Sequence, residues 1–419
     1  MAPTEIRKLA DKDFDEYMRI NCEAYPGMEV FTAEERSRFV AQMRQTTGDP
    51  RAVRYGVFRN GVMVGGMRLF DYVMNVRGSR LRTGGVGAIA VDLIHKKEHV
   101  AKDIMAFYLD HYVRRDFPMG LLWPFRSDFY HDMGFGLGAR MFRYSILPTS
   151  FPAGHTKEHV RYLNENDIPA LTDCHNRYVA GRFGMVEQTD EGWEVILRQH
   201  KKTRYVGVEV DGRLEGYLSY TFKKIAADSF LVNDLVVEDL VYLTPEALAE
   251  MLAFLRSQLD QIRRVVLHTP EDEFYYLLRD PRNESTGIIY PTHQESHAAG
   301  VGVMYRVLDN RLLFEQLGPS AFSKVNLKIR LNIRDSFLPQ NDGPLVVAFR
   351  DGRAALVDGG DCDVEIGLDI AEFSSMIMGA VGFRSLHTYG LATISESELL
   401  DTVDRLFATP ERPLTTVSF

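Results

Sequence analysis

The chain has few cysteines, no long apolar run and no excess of basic residues. Its three cysteines, Cys22, Cys174 and Cys362, lie far apart and are odd in number, so neither a disulfide framework nor a CxxC metal or redox site is indicated. The amino terminus lacks the apolar stretch of a signal peptide, and nowhere do about 18 apolar residues follow one another. The sequence therefore predicts a cytoplasmic protein with reduced cysteines and no membrane insertion.

Charge and length restrict the functions open to this chain. Lys and Arg number 49 against 58 Asp and Glu, a formal net charge of −9. Because phosphate binding depends on clustered Lys and Arg, this balance argues against nucleic acid as the main partner and favours a cationic substrate. A content of 45% hydrophobic and 26% charged residues is that of a globular protein. Since 419 residues exceed what one hydrophobic core supports, we expect three domains.

An internal repeat is visible at a distance of about 150 residues. Asn60-Gly61 and Asp211-Gly212 each lie between two short apolar runs, and such dipeptides favour a tight hairpin because both turn residues tolerate positive φ. After each hairpin the pattern predicts a strand, a helix and a second strand. These segments are residues 87–91, 100–112 and 121–123 in the first copy, and 231–237, 245–262 and 265–267 in the second. The sequence therefore predicts two copies of one α/β domain.

The last part of the chain changes character near residue 287. Between 325 and 334, apolar and polar residues alternate, as in a strand with one buried and one wet face. Further strands are predicted at 345–349 and 354–357, and helices near 370–378 and 396–407. This order predicts an α+β domain. The three domains are expected to span residues 1–150, 151–286 and 287–419.

The basic turn before the first predicted helix is a place where phosphate can bind. Residues 95–102 read His-Lys-Lys-Glu-His-Val-Ala-Lys and connect strand 87–91 to helix 100–112. The backbone N–H groups of a first helical turn are unpaired, and the helix dipole favours negative charge there. The lysines add positive charge. The turn therefore predicts either a pyrophosphate site or a solvated helix start.

Metal sites are not predicted. Three pairs of histidines have the i, i+4 spacing of helical metal ligands but no evident third ligand: His95/His99, His155/His159 and His293/His297. The acidic residues between 358 and 365 lack the spacing of an EF-hand and are expected to form a solvated turn. The basic run 200–204 is interpreted as a loop in water.

Residues 127–135 follow the strand at 121–123 and read Ser-Asp-Phe-Tyr-His-Asp-Met-Gly-Phe. Ser127 is expected to cap a short helix and Gly134 to end it. Tyr130 would project from this helix. Its ordinary pKa of about 10 allows it to give a proton to a departing thiolate, whose pKa is about 8.5. The commoner role of an aromatic residue at such a position is core packing.

The chain resembles the GNAT acetyltransferases, and more closely the Eis (enhanced intracellular survival) family. The segment Tyr130-His131-Asp132-Met133-Gly134-Phe135 is similar to the Tyr-x-x-x-Gly-Phe segment of the superfamily, and Ile89-Ala90-Val91 is similar to its cofactor-pairing strand. The resemblance covers essentially the full length. It implies tandem GNAT folds of the α/β class, with mixed sheets flanked by helices, followed by a sterol-carrier-like α+β domain.

The resemblance also implies a site for acetyl-coenzyme A in the first domain. Backbone groups of the splayed strand would bond the pantetheine arm, the turn would receive the pyrophosphate, and two residues further along would line the cofactor. In that order, these residues are Ile89, Ala90 and Val91; Lys97, Glu98, His99, Val100, Ala101 and Lys102; and Phe125 and Arg126. Because His99 stands where the family has glycine and Glu98 adds negative charge, we expect weaker coenzyme binding than a glycine turn gives.

Catalysis would then proceed by direct attack of an amine on the thioester. By resemblance, the α-carboxylate of the last residue, Phe419, takes the general-base position, and Tyr130 protonates the coenzyme thiolate. A carboxylate with an ordinary pKa of about 3.5 is a poor base, so burial must raise its pKa, the amine must bind partly deprotonated, or water must relay the proton. Backbone N–H groups near Val91 would polarise the carbonyl.

The expected acceptors are primary amines of a cationic molecule such as an aminoglycoside or a polyamine, or lysine side chains, and the resemblance implies a homohexamer. Two other hypotheses stand beside this one. One is a non-catalytic coenzyme- or lipid-binding protein whose first domain has lost turnover through His99. The other is a GNAT acyl or aminoacyl transferase that acts on peptide N-termini or cell-wall precursors.

Overall fold

The computed structural model describes residues 4–28, 30, 32–45, 52–154, 156–226, 229–283, 285 and 287–416. Contacts divide the described residues into two compact units. The first unit is built from the described residues of 4–138 and 303–412, and the second from those of 139–302 and 413–416.

The helices and strands follow one another in three blocks along the chain. The first block contains β1 (Thr4–Lys8), α1 (Phe14–Ala24), α2 (Ala33–Gln45), β2 (Ala52–Arg59), β3 (Val62–Val76), β4 (Ser79–Val91), α3 (Val100–Val113), β5 (Met119–Leu122), α4 (Ser127–His131) and β6 (Gly136–Leu137). The second contains β7 (Arg140–Ile146), β8 (Val160–Leu163), α5 (Ile168–Ala180), α6 (Asp190–Gln199), β9 (Arg204–Val210), β10 (Arg213–Lys224), β11 (Asn233–Tyr242), α7 (Pro245–Arg256), β12 (Val265–Thr269), β13 (Ile288–Ile289), β14 (His293–Gln294) and β15 (His297–Val301). The third contains β16 (Met304–Val307), α8 (Asn310–Gln316), β17 (Leu327–Arg334), β18 (Gly343–Arg350), β19 (Arg353–Leu356), β20 (Val364–Asp369), α9 (Ile370–Ile377), α10 (Phe383–Thr388), β21 (Ala392–Ile394) and α11 (Leu400–Phe407).

The first unit contains a seven-stranded sheet in the order β1-β2-β3-β4-β5-β16-β6. Only β4 and β5 run parallel among its paired strands. Helix α3 packs on one face through a stripe of fully buried residues, Ile104, Tyr108 and Tyr112, at the helical spacing that the sequence predicts. Helix α1 covers the opposite face, where the ring of Tyr17 lies against Gly66. The parallel strands β4 and β5, which α3 connects, position the site described below.

The second unit repeats this arrangement in the order β15-β7-β12-β11-β10-β9-β8, with β11 and β12 parallel. Both hairpins that the sequence predicts are confirmed. Asn60 and Gly61 join β2 to β3 with φ of 50° and 78°, and Asp211 and Gly212 join β9 to β10 with φ of 51° and 76°. The two copies of one α/β fold are therefore built around matching turns.

Strand membership in the two sheets does not follow the expected domain limits at residues 150 and 286. Strand β7 begins at Arg140 and already pairs in the second sheet, with β12 and β15. Strand β16 begins at Met304 and returns to the first sheet, where it pairs with β5 and β6. The division into three domains stays a proposal. The chain passes from the first sheet to the second near residue 138 and returns to the first sheet near residue 303.

The last block forms a five-stranded sheet in the order β19-β18-β17-β20-β21 with helices α8 to α11. The alternating pattern predicted for 325–334 is confirmed, because Leu327, Ile329, Leu331 and Ile333 are buried while the residues between them are more exposed. The α/β and α+β classes predicted from the sequence are thus both present.

One helix end differs from the prediction. Helix α7 was expected to reach residue 262 but ends at Arg256. The side chains of Ser257 and Gln258 both donate to the carbonyl of Phe254, at 2.8 and 3.0 Å. Polar side chains that bind the last carbonyls of a helix compete with its continuation, which explains the early end.

Candidate active site

The parallel strands β4 and β5 separate in the middle of the first sheet. They pair only where residues 83–86 of β4 lie opposite 119–122 of β5. Beyond this point β4 continues to Val91, while the chain after β5 turns into α4. Among the described strands, none pairs with residues 87–91 on the side that faced β5. An extended ligand can therefore bond to this free edge.

A β-bulge sets the direction of the free edge. β3 and β4 change register beside Ala88, which has a positive φ of 47°. Such bulges bend a strand and redirect its backbone groups. Ile89, Ala90 and Val91, predicted to meet the pantetheine arm, follow directly, and the side chain of Ala90 is fully buried. The structure thus places the three predicted strand residues together at the gap.

Helix α3 begins beyond this edge with an uncapped amino terminus. His99 is the N-cap residue and its side chain makes no capping hydrogen bond. The amide of Asp103 donates to the carbonyl of His99 at 3.0 Å, so the amides of Val100, Ala101 and Lys102 precede the helical hydrogen-bond ladder. Unpaired amides and the helix dipole together favour an anion at this place.

Two residues of the turn have the left-handed backbone that glycine prefers. Lys97 has φ of 70° and His99 has φ of 64°. A side chain in this conformation costs about 1–2 kcal/mol relative to a right-handed one. His99 therefore keeps a backbone conformation that glycine would adopt without strain. The weaker coenzyme binding expected from this residue would thus come from the strained backbone.

The negative charge of Glu98 is compensated within the same turn. Arg59 donates to the carboxylate of Glu98 at 3.1 Å, to its backbone carbonyl at 3.0 Å, and to the carboxylate of Asp103 at 3.1 Å. His95 lies 3.1 Å from the same Glu98 carboxylate. Lys102 is exposed, with its ammonium 5.8 Å from the ring centre of Phe337. The two acids at the helix start are thus held by Arg59.

Tyr130 lies on α4, directly after the gap, and is 2% exposed. Its ring packs against Phe125, Phe129 and Phe135, with centroid distances of 5.7, 5.2 and 6.2 Å. Burial, and secondly the neighbouring hydroxyl of Tyr25, raise the pKa of Tyr130 above its ordinary value. The hydroxyl is therefore protonated at neutral pH, the state that a proton donor requires.

Tyr25 is a site residue that sequence reasoning missed. It follows the last residue of α1, and its hydroxyl donates to the carbonyl of Ile89 at 2.7 Å, across 64 residues of sequence. Burial raises the pKa of Tyr25 to about 12. Tyr25 thereby fixes a backbone group of the bulge from the α1 face. No local sequence pattern indicates such a contact, because it depends on how α1 packs on β4.

The other predicted site residues lie further from the gap or outside the described residues. Phe125 is 63% exposed. Arg126, rather than the expected Ser127, is the N-cap residue of α4, and its guanidinium forms an exposed ion pair with Asp128. Phe419, the predicted source of the general base, lies outside the described residues.

The second unit has a corresponding strand gap with a different helix start. β11 and β12 pair only from Leu235 to Val237, and β11 then continues to Tyr242. Helix α7 begins with Pro245, and the side chain of Thr244 accepts a hydrogen bond from the amide of Ala247 at 3.1 Å. Proline lacks an N–H and threonine satisfies another, so this helix start offers fewer amides to an anion.

The carboxyl-terminal segment 413–416 lies along the second gap. The amide of Leu414 donates to the carbonyl of Phe183 at 2.7 Å, and the hydroxyl of Thr415 donates to the carbonyl of Gly184 at 2.9 Å. Leu414 and Thr416 line a cavity of only about 20 Å³ together with residues 238–241 and 268–271. The place where β11 and β12 part is thus filled by the chain itself.

The last block is packed around phenylalanine rings. Phe314, Phe322, Phe349, Phe373 and Phe407 are buried and contact one another at centroid distances between 4.9 and 6.2 Å. Such a cluster supplies a large apolar area to this core.

Arg77, in the turn between β3 and β4, is buried among backbone carbonyls of the last block. Its guanidinium donates to the carbonyls of Ala321, Ile377, Phe407 and Ala408 at 2.6, 3.0, 3.1 and 3.3 Å. Two of these carbonyls belong to the last residues of α9 and α11, where the helix dipole favours a cation. Burial lowers the pKa of Arg77 to about 10. Arg77 therefore anchors this block to the first sheet's hairpin.

Neither metal ligation nor membrane crossing is indicated for the described residues. Within the described ranges, no group of three His, Cys, Asp or Glu side chains is arranged to hold a metal ion. His155 of one predicted pair lies outside those ranges. No helix in the described part of the chain combines the length and the apolar character needed to cross a bilayer.

Three domain families match successive parts of the chain. An acetyltransferase (GNAT) domain matches residues 5–138, a second acetyltransferase (GNAT) domain matches residues 184–307, and a sterol carrier protein domain matches residues 314–416. No curated protein matches the chain in sequence.

Solved structures show the same fold over the whole chain. A GCN5-related N-acetyltransferase from Anabaena variabilis has a TM-score of 0.82 at 17% identity, with 100% of both chains covered. A conserved protein of unknown function from Enterococcus faecalis, described as a probable N-acyltransferase, has a TM-score of 0.81 at 18% identity and the same coverage. Eis1 from Mycobacterium abscessus has a TM-score of 0.77 at 18% identity, again over 100% of both chains.

At such identities, the structural matches establish the fold rather than the substrate. The strand gap, the bulge and the uncapped helix lie within the first matched acetyltransferase domain, and the filled gap lies within the second. The chain therefore consists of two GNAT acetyltransferase domains followed by a sterol carrier protein domain.

Proposed function

We propose that this protein is an Eis-like N-acetyltransferase that transfers the acetyl group of acetyl-coenzyme A to a primary amine in its first GNAT domain. The observation that carries the proposal is the separation of β4 from β5, which leaves residues 87–91 unpaired on one side and directs them toward the uncapped start of α3. An extended pantetheine arm can bond along such an edge, and a pyrophosphate can bond to such a helix start.

Different residues around the gap would bind different parts of the coenzyme. Ile89 and Val91 would bond the pantetheine arm through their backbone, and Ala90 holds the strand in place through its buried side chain. Lys97, Glu98, His99, Val100, Ala101 and Lys102 form the turn and first helical residues that would receive the pyrophosphate. Phe125 and Arg126 would lie along the coenzyme beyond β5.

The chemistry would require two proton transfers around one attack. The amine would lose its proton to the α-carboxylate of Phe419, directly or through water, and would then attack the thioester carbonyl. Backbone N–H groups near Val91 would stabilise the negative charge on the carbonyl oxygen. The hydroxyl of Tyr130 would give its proton to the departing thiolate, and its raised pKa keeps that proton in place until the thiolate forms.

Several finer statements belong to the proposal. A cationic acceptor such as an aminoglycoside, a polyamine or a lysine side chain, a cytoplasmic location and a homohexamer all stay predictions. Eis1 from Mycobacterium abscessus and the probable N-acyltransferase from Enterococcus faecalis share the fold, and they support an acyl transfer in general terms.

Release of coenzyme A thiol from acetyl-coenzyme A tests the proposal. A panel of primary amines is assayed with the native protein and with a version extended by a few residues past Phe419, and a version with the same extension at the amino terminus serves as control. We expect turnover by the native and control proteins and none by the carboxyl-terminal extension. Turnover that survives the carboxyl-terminal extension would assign the general base to another group, and no turnover with any amine would refute the activity.

The rate of thiol release with different coenzyme A thioesters shows which acyl donor the protein uses. Acetyl-, propionyl- and palmitoyl-coenzyme A are compared in the same assay. We expect the acetyl donor to be preferred, whereas a clear preference for the long chain would identify a different acyltransferase.

A further inference from the structure

Helix α4, which carries Tyr130, is too short to hold its own position. It contains five residues, Ser127–His131, and the side chain of its N-cap residue, Arg126, makes no capping hydrogen bond. A helix of little more than one turn is not stable in water without tertiary contacts. The position of the Tyr130 hydroxyl therefore depends on what packs against α4 and against the chain that follows it.

Helix α9 of the last block packs directly against the chain that follows α4. A Cβ atom at Gly136 would collide with the backbone carbonyl of Ala371, so the two backbones are in contact. One residue further, the hydroxyl of Ser375 donates to the carbonyl of Leu137 at 2.8 Å. The segment after Tyr130 is thus fixed to α9 by close packing and by a hydrogen bond.

The end of α4 is enclosed between α9 and a buried ion pair. A Cβ atom at Gly134 would lie 2.7 Å from Ile370 of α9 and 2.6 Å from the guanidinium carbon of Arg306. One nitrogen of this guanidinium donates to both carboxylate oxygens of Asp335 at 2.8 Å, and both residues are buried. Only glycine fits at position 134, where φ is 82° and no room is left for a side chain.

Helix α9 is itself held firmly on its other sides. All eight of its residues, Ile370–Ile377, are buried. The ring of Phe373 lies 6.2 Å from that of Phe314 in the phenylalanine cluster of the last block. The hydroxyl of Ser374 accepts a hydrogen bond from the amide of Val307, on β16, at 2.9 Å. A helix packed in this way is a rigid support for a short neighbouring element.

One side-chain pair joins α9 to α4 itself. Nε2 of His131, the residue after Tyr130, lies 2.9 Å from Oε1 of Glu372. The side chain of Glu372 is 9% exposed and that of His131 is 47% exposed. Among the residues that the structure describes, His131 is the hydrogen-bond partner of this carboxylate. Since a buried carboxylate is costly without a partner, Glu372 holds His131, and α4 with it, against α9.

The charges around this pair strengthen it. The hydrogen bond to Glu372 raises the pKa of His131; burial opposes this effect, while the nearby acids Asp132 and Asp369 add to it. Asp369 is itself bound by Arg334, at 2.7 and 3.2 Å. Glu372 lies in the first turn of α9, where the helix dipole stabilises a negative charge. A charged histidine donates a stronger hydrogen bond to a carboxylate than a neutral one.

We propose that Glu372 of the sterol carrier protein domain is a positioning residue for acetyl transfer: through His131 it holds α4 on α9, and so it sets the place from which Tyr130 gives its proton to the departing thiolate. The inference rests on the proposed function. Helix α4 lies within the acetyltransferase match to residues 5–138, and α9 within the sterol carrier protein match to residues 314–416. The third domain thereby contributes to the rate of a reaction whose substrates it does not touch.

Glu372→Leu in the full chain tests the proposal. Leucine fills the buried place with an apolar side chain, and the half-exposed His131 regains water as its partner, so the fold is expected to be kept. Because a misplacement of about 1 Å can cost about 100-fold in rate, kcat for thiol release should fall roughly 10- to 100-fold. KM for acetyl-coenzyme A should stay near the native value, since the coenzyme site at residues 87–102 is unchanged. Glu372→Gln keeps an acceptor for His131 and should restore most of kcat.

Glu250→Leu is the matched control. Glu250 and His159 form a pair of the same kind in the second unit, at 2.7 Å, with side chains 13% and 41% exposed. We expect this variant to keep the native kcat. All rates are compared well below the lowest midpoint of thermal unfolding among the variants. A kcat that falls no further in Glu372→Leu than in Glu250→Leu, or a loss that lies entirely in KM, would overturn the proposal while leaving the acetyltransferase activity intact.

Hydrogen–deuterium exchange of a peptide covering residues 126–137 tests the position of α4 without turnover. We expect faster exchange in Glu372→Leu than in the native protein and in Glu250→Leu. If the native protein acetylates no amine, the proposed function has failed and the catalytic role of Glu372 falls with it. Exchange then decides alone whether Glu372 holds α4. Equal exchange in all three proteins would overturn that as well.

Discussion

The two GNAT domains have the same strand gap, but the helix that follows the gap begins differently in each domain. In the first, β4 leaves β5 after Val86 and leads to a helix whose first amides are uncapped. In the second, β11 leaves β12 after Val237 and leads to a helix that begins with Thr244 and Pro245. The second gap is also filled by the carboxyl-terminal segment 413–416.

This difference shows how little of the fold must change to alter a site. Both gaps follow from parallel strands that diverge in a twisted sheet, and both are preceded by matching hairpins at Asn60-Gly61 and Asp211-Gly212. What differs is the chemistry of a few residues at a helix start and the segment that lies in the opening. We therefore expect changes in the first gap to alter turnover, and changes in the second gap to alter stability.

The largest expected effect is on turnover, from Tyr130→Phe. Removal of the hydroxyl takes away the proposed proton donor, and kcat should fall by roughly 10²- to 10⁴-fold, the usual contribution of general acid catalysis. The measurement is thiol release at saturating substrates. Tyr242→Phe is the control, because that hydroxyl belongs to the second gap and binds Glu271 at 2.8 Å. If both variants keep full activity, Tyr130 has only a packing role.

The next effect is on stability, from Leu414→Ala. Leu414 is 7% exposed and packs in the core of the second unit, so its truncation should reduce the free energy of unfolding by about 2–3 kcal/mol. Urea unfolding followed by circular dichroism measures the loss. Leu259, 54% exposed in the same unit, gives the control Leu259→Ala, for which little change is expected. Equal losses would show that the carboxyl-terminal segment adds nothing specific.

A smaller effect concerns the pH dependence of stability. Burial raises the pKa of Asp239, in the second gap, from 3.8 to about 6, with Ser219 and Thr416 as hydrogen-bonding neighbours. Because the folded pKa is raised, the stability gained from this carboxyl group is complete below pH 4 and is lost as the pH rises through 6. Asp239→Asn should therefore stabilise the protein at pH 7 by about 2 kcal/mol, after allowance for partial exposure, and flatten the profile between pH 4 and 6.

Glu238→Gln provides the comparison for that profile, since Glu238 is the exposed neighbour of Asp239 on the same strand. Because the charge of Glu238 also contributes to the raised pKa of Asp239, this variant should keep the pH dependence of the native protein, with the loss of stability moved to slightly lower pH. The difference in unfolding free energy between the native protein and Asp239→Asn separates this carboxyl group from the other titrating groups. A difference that stays constant between pH 4 and 7 would contradict the assignment.

The smallest expected effect is from His99→Gly. Glycine adopts the φ of 64° without strain, so this variant should gain about 1 kcal/mol in stability and bind acetyl-coenzyme A severalfold more tightly. Lys96→Gly is the control, because Lys96 has φ of −63° and gains nothing from glycine. Calorimetric titration measures the affinity. An equal gain in both variants would mean that flexibility, rather than the left-handed backbone, limits binding.

Residues whose role is local were the ones that the sequence could predict. Asn-Gly and Asp-Gly turns, the alternation around Ile329 and the stripe around Ile104 all reflect local conformational preference or periodicity, and the structure confirms them. The resemblance of the segment around Tyr130 led to the correct domain type.

Residues whose role depends on tertiary packing were not predictable in the same way. Alanine rarely adopts positive φ, so nothing in the sequence marks the bulge at Ala88. The hydrogen bond from Tyr25 to Ile89 and the burial of Arg77 join segments that lie far apart in sequence. The return of β16 to the first sheet is likewise a matter of long-range pairing, which explains why sheet membership departs from the expected domain limits.

Hydrogen–deuterium exchange with and without acetyl-coenzyme A tests most directly the claim that one gap binds and the other is closed by the chain. The two peptides to compare cover residues 87–103 in the first GNAT domain and 238–248 in the second. We predict that the coenzyme slows exchange of the first peptide, at a stoichiometry of one per chain, and leaves the second unchanged. Protection of 238–248, or of neither peptide, would contradict the account.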